Sequence, residues 1–152
     1  MSGFVYKEVN GDLFSAKADY SMCHCVGADL RMGKGIAVKF RTKFGQLLTL
    51  QRQNVQPGGV AILKDQERFI YNLVTKQTSW GKPTYQLLHS TLTAMRQHMI
   101  AHNVHKLAMP RIGCGLDGLS WMKVKEMVCE IFQSDAIELV IPGTRRIQPH
   151  AK

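Results

Sequence analysis

Long apolar runs are missing from this chain. Nothing in its 152 residues approaches the ~18 uncharged apolar positions that a membrane-spanning helix needs, so no membrane partner is expected. The opening stretch, MSGFVYKEV, has no basic head followed by an apolar run, so no secretory signal is expected. Acid is scarce: 11 Asp and Glu stand against 20 Lys and Arg, a formal net charge of +9. That balance points to a polyanionic partner, such as phosphate, nucleotide or nucleic acid. Cysteine is sparse and forms no C-x-x-C; Cys23, Cys25, Cys114 and Cys129 are expected to be reduced thiols of a nuclear or cytosolic protein. Repeats, low-complexity runs and Pro/Ser-rich linkers are absent as well. One domain over residues 1–142 is therefore expected, followed by a basic, disordered tail over 143–152 that carries Arg145, Arg146 and Lys152.

What is present is the composition of a folded chain, with 45% hydrophobic residues. Strand and helix signals alternate along it. Strands are expected at Phe4–Val9, Tyr20–Val26, Lys106–Met109 and Ile137–Ile141, with a hairpin formed by Val60–Leu63 and Phe69–Thr75. Ile36–Phe44 reads as a helix stopped by Gly45, with a further turn or two over Gln46–Gln53. Thr84–His102 is a longer helix, because Leu88, Leu92, Met95 and Met99 recur at helical spacing, and Ser120–Phe132 is another. This order implies an α/β domain of three layers, α/β/α, around a mixed, mostly parallel sheet. In Cys23-His24-Cys25 a strand would turn both cysteines to one face and His24 to the other, so small buried thiols are a better reading than a metal site.

Two glycine-bearing loops follow strands and precede helices, where ligands of such sheets bind. The first, Gly27–Gly35, fails as a Walker A motif: five residues separate Gly27 from Gly33, and Lys34 is followed by Gly35 rather than a hydroxyl residue. Gly33 and Gly35 still let backbone approach a ligand closely, ahead of a positive helix end at Ile36. The second, Pro110–Gly118, holds three glycines in six residues and makes another cradle of N–H groups. Two such cradles suit a pyrophosphate.

Four side chains near these loops carry reactive chemistry. Asp117 is a carboxylate inside an anion cradle, an electrostatic cost that suggests acid/base work or a grip on a ribose hydroxyl. Cys114 is a weaker candidate, with no histidine tied to it by pattern. Asp12 either caps a turn or accepts from a base amino group. Lys82 stands in Gly81-Lys82-Pro83-Thr84, where Pro83 holds it extended ahead of the long helix; it is either a solvated charge or an amine able to attack a sugar carbon.

Four strings occur in order: Gly11-Asp12-Leu13-Phe14, Arg31-Met32-Gly33-x-Gly35-Ile36-Ala37, Lys82-Pro83-Thr84-Tyr85 and Met109-Pro110-Arg111-Ile112-Gly113-Cys114-Gly115-Leu116-Asp117. Together they resemble the macrodomain family, and within it the glycohydrolases that remove terminal ADP-ribose and deacylate O-acyl-ADP-ribose. The likeness runs from about Val5 to Ile141. It implies that Asp12 and Leu13 meet adenine. It implies that Arg31, Met32, Gly33, Gly35 and Ile36, with Ile112, Gly113, Cys114, Gly115 and Leu116, wrap the diphosphate and distal ribose. Lys82 would match the family's nucleophile and Asp117 its acid/base, acting on glutamate- or aspartate-linked ADP-ribosylated proteins. No metal or redox cofactor is implied. Two positions depart from the pattern: Gly27 stands where a serine is expected, and Ile141–Arg146 replaces an aromatic ending. A non-catalytic ADP-ribose reader is the alternative, and weak nucleic-acid binding by the basic surface can coexist with either.

Overall fold

The computed structural model describes residues 3–143. Six strands, β1 (Val5–Asn10), β2 (Ser21–Gly27), β3 (Val60–Asp65), β4 (Arg68–Lys76), β5 (Lys106–Ala108) and β6 (Glu138–Gly143), form one sheet in the order β1-β6-β5-β2-β4-β3. Every neighbouring pair is parallel except the β3–β4 hairpin. The mixed, mostly parallel sheet is thus as expected. Most element ends differ from the expected bounds by a residue or two. β4 runs one residue past Thr75 to take in Lys76. β6 runs through Pro142 and Gly143, which pair with Val9 and Asn10. Of the tail expected over 143–152, Gly143 belongs to β6 and 144–152 lie outside the described residues.

Helices cover both faces: α1 (Ile36–Phe44) and α2 (Leu47–Arg52) on one, α3 (Tyr85–Ala101) and α4 (Trp121–Phe132) on the other. The strand period of two divides the side chains between them. Cys23, Tyr71, Leu73, Leu107 and Leu139 pack against Leu88, Leu92, Met95 and Met99 of α3 and Val124, Val128 and Phe132 of α4. Met22, Val26, Ile70 and Val74 pack against Phe40 and Leu50 on the opposite side. Strands buried on both faces read as near-continuous apolar runs, which is why β2 and β4 lack polar alternation. The helical stripe at 88, 92, 95 and 99 is fully buried, as its spacing requires. His24 takes the face opposite Cys23, stacked on Phe40 with ring centroids 3.8 Å apart and bonded to Asn72 at 2.6 Å.

Because β1, β6, β5, β2 and β4 run parallel, their carboxyl ends lie along one edge of the sheet. The connections at residues 11–12, 28–35, 77–84 and 109–120 leave from that edge, where the ligand crevice of such sheets lies.

Candidate active site

The crevice begins at the end of β1. Asp12 is exposed and precedes a 3-10 turn at Leu13–Ser15; its carboxylate caps nothing, while its backbone oxygen accepts from the Ser15 hydroxyl. The turn is therefore held by backbone, and the carboxylate faces solvent. Leu13 is buried in the core beneath.

The loop after β2 is strained where it must expose backbone. Leu30 and Met32 take φ of 52° and 47°, a left-handed conformation costly for branched or bulky residues. Both side chains are buried in the core under α1. Burial of these two plugs holds the loop, and Met32 can reach the crevice only through its backbone. Arg31 between them is exposed, its N–H donating to Asp29 Oδ1 at 3.3 Å. Gly33 and Gly35 face open space, and no side chain caps α1 at Gly35. The first N–H groups of α1 are therefore open to an anion. Ile36 is at the exposed rim.

The loop after β5 is pinned from both sides. Ile112 is buried in the α3–α4 core. Gly113 has φ of 75°, and a Cβ there would sit 2.9 Å from Leu119. Gly115 shares the left-handed conformation and faces open space. Tyr85 at the start of α3 accepts the Ser120 N–H at 2.9 Å, tying the loop to α3. The Cys114 thiol donates to the Ile112 carbonyl at 3.3 Å, and burial pushes its pKa up, so it stays a thiol. That removes the thiolate a nucleophilic cysteine needs. Gly115–Asp117 forms a 3-10 turn that carries Asp117 toward β4.

The end of β4 supplies the other half of the site, and here the structure differs from expectation. Asp117 Oδ1 lies 2.8 Å from the ammonium of Lys76, with both side chains less than one-fifth exposed. The lysine set opposite Asp117 is thus Lys76, the last residue of β4, whereas Lys82 stands exposed six residues on, before the buried Pro83. The sequence singles out Lys82 through its Lys-Pro-Thr-Tyr string and passes over Lys76, which follows the strand end expected at Thr75. A signal was available: a lysine closing an otherwise apolar parallel strand at its carboxyl end must emerge at the ligand crevice. The pair spans β2, which lies between β5 and β4. Beneath it, burial and the charge of Asp117 push the Cys25 thiol up to about 12.

Lys76 is fixed through its backbone. Its carbonyl accepts the Ala28 N–H at 2.8 Å, and the β2–β4 register slips by one residue at Val26/Gly27 to pair Gly27 with Lys76. The chain then crosses Gly27 so closely that a Cβ there would lie 2.7 Å from the Thr78 carbonyl carbon and 2.8 Å from the Ser79 nitrogen. Asp29 clamps the crossing, accepting from the Ser79 N–H at 2.9 Å and its hydroxyl at 2.6 Å. These bonds hold the Asp29 carboxyl below its ordinary range despite partial burial. Gly27, where a serine was expected, is therefore required by the path of this crossing.

Among the described residues no group of three or more His, Cys, Asp and Glu could hold a metal ion. No helix among them is long and apolar enough to cross a membrane. A cavity of about 420 Å³ at the opposite end of the strands, lined by Asp19, Lys43, Asp65 and Arg68, holds none of the candidate residues.

A three-layer α/β/α sandwich with two open glycine loops and an Asp–Lys pair at the carboxyl edge of its sheet has the architecture of a macrodomain. The chain belongs to the Macro domain family, whose model matches residues 23–128. It is 45% identical over 133 residues to the ADP-ribose glycohydrolase OARD1 of Homo sapiens, 88% of each chain being covered. The macrodomain of Thermus aquaticus DarG superposes with a TM-score of 0.82 at 24% identity, covering 93% of this chain and 99% of that one. The macrodomain of Mycobacterium tuberculosis DarG does so with a TM-score of 0.83 at 23% identity, covering 93% and 100%.

Proposed function

We propose that this protein binds ADP-ribose and removes mono-ADP-ribose from glutamate and aspartate side chains of proteins, and deacylates O-acyl-ADP-ribose, with Lys76 as nucleophile and Asp117 as acid/base. The observation that carries the reading is the 2.8 Å Lys76–Asp117 pair at the end of two anion-binding loops. The human relative named an ADP-ribose glycohydrolase supports it.

The chemistry follows from the pair. An ammonium has no lone pair, so the Lys76 proton must first move to Asp117, which lies within hydrogen-bond distance. The neutral amine attacks the anomeric carbon of the distal ribose as the bond to the acceptor carboxylate breaks, and the acceptor leaves as a carboxylate. Water then resolves the lysyl adduct: the C–N bond breaks, the ribose keeps the water oxygen and one of its protons, Lys76 leaves as the ammonium with the other, and Asp117 releases its proton to solvent. The N–H groups around Gly33, Gly35, Gly113 and Gly115 hold the diphosphate while Asp12 accepts from the adenine amino group; this fixes the sugar carbon at the pair.

The test is release of ADP-ribose from a glutamate-linked mono-ADP-ribosylated protein by wild type, Lys76→Ala, Asp117→Ala and Lys82→Ala. Loss of about 10²-fold or more is expected for the first two variants, the usual range for a nucleophile or acid/base. Lys82→Ala is expected to stay within about threefold, because neither chemical step uses it. Wild-type rates in Lys76→Ala would overturn the assignment. Binding of ADP-ribose without release by wild type would make the protein a reader.

A further inference from the structure

Trp80 is exposed at 72%, a large aromatic surface turned to water four residues beyond Lys76. Among the described residues it takes part in no ring contact or cation–π pair with the protein. A single exposed tryptophan would need no explanation on a loose loop. This one sits on an anchored turn. Gly81 N–H donates to the Thr78 carbonyl at 3.0 Å, closing a β-turn with Ser79 and Trp80 at its corners. Ser79, the first corner, is bonded twice to Asp29. The turn lies on the end of β2 at Gly27, and a Cβ on Gly81 would come within 3.8 Å of the Lys76 Cβ. Trp80, the second corner, is thus held at a fixed place beside the reactive lysine.

Resting on the function proposed above, we infer that Trp80 is a specificity-determining residue that packs against the polypeptide acceptor, the part of the substrate beyond the anomeric carbon. The direction of the crevice carries the assignment. The ligand's track starts at Asp12 at the end of β1 and reaches the Lys76–Asp117 pair at the end of β4, four strands across the sheet. The ADP-ribose part is spent by the time the track meets Lys76. The turn at Thr78–Gly81 follows β4, so what it meets is the leaving group. An indole on an anchored backbone offers a wide contact with only two side-chain torsions to order, the property that makes tryptophan dominate protein contacts. Lys82, exposed two residues on, puts a positive charge on the same segment, which suits an acid-rich peptide. An acetyl group leaving from O-acetyl-ADP-ribose is too small to use the ring.

The experiment compares wild type, Trp80→Ala and Trp80→Phe on two substrates, a glutamate-linked mono-ADP-ribosylated protein and O-acetyl-ADP-ribose. Trp80→Ala is expected to lower kcat/KM on the protein substrate by roughly tenfold or more, the range of an aromatic contact residue. Trp80→Phe should recover most of that loss. Turnover of O-acetyl-ADP-ribose and the Kd of ADP-ribose should change by less than about twofold, since neither uses the ring. Equal losses on both substrates, or none on either, would overturn the inference. A second arm uses Lys76→Ala and reads tryptophan emission, with Trp80→Ala in the same background to subtract Trp121. An ADP-ribosylated peptide should shift Trp80 emission and ADP-ribose alone should not. If wild type cleaves neither substrate, the proposed chemistry fails and this arm still decides the contact: identical spectra with both ligands would refute it.

Discussion

Lys76 and His24 show how little a residue's type says before its surroundings are known. Both sit on buried parallel strands, yet Lys76 ends its strand and meets Asp117 at 2.8 Å, whereas His24 is enclosed mid-strand between Phe40 and Asn72. Burial lowers the His24 pKa from its ordinary value to about 4. The neutral ring is therefore the folded form at neutral pH, and the unfolded chain binds the extra proton between about pH 6.5 and 4. Stability must fall as pH drops through that window, since acid favours the state that takes up protons. Between pH 7 and pH 5 this one group should remove about 2 kcal/mol. Urea unfolding at the two pH values checks it: in His24→Phe the slope over this window should flatten, even though Asn72 loses its partner.

The crossing of the Thr78–Gly81 turn over β2 belongs to the scale of elements. It exists because Gly27 has no side chain and Asp29 supplies two hydrogen bonds. Gly27→Ser is expected to force the turn outward, because the clash at 2.7 Å is with backbone that has no rotamer to change. Overpacking of this kind costs about 1–3 kcal/mol. Both the melting temperature and release of ADP-ribose from protein should fall. An unchanged melting temperature would show that the crossing tolerates a Cβ. The elements themselves were legible in the sequence: the α3 stripe, the β2 apolar run and the two glycine loops lie where periodicity and glycine spacing put them. The identity of the lysine was not. The end of β4 was expected at Thr75, and one residue of error there hid Lys76 in a connection.

For the whole molecule, one six-stranded sheet shares its two cores across all four helices. Ligand bound at the carboxyl edge therefore stabilises everything at once. ADP-ribose at about 100 times its Kd should stabilise by about 2.7 kcal/mol and raise Tm by roughly 5–10 °C. A thermal melt with and without ADP-ribose measures this, and no shift at that saturation would contradict the proposed ligand.

By itself, the sequence determined the layers, the parallel sheet, the two glycine loops at its carboxyl edge and the family, because these rest on periodicity, glycine spacing and local strings that neighbouring residues settle. Only the tertiary structure decided which lysine faces Asp117, why Gly27 must lack a side chain, and that Leu13, Met32 and Ile112 spend their side chains on the cores rather than the crevice. The reason is sequence distance. Lys76 and Asp117 are 41 residues apart, and Asp29 and Ser79 are 50. Such pairs meet only when the strand order brings β5, β2 and β4 side by side, and nothing local in either partner records that order.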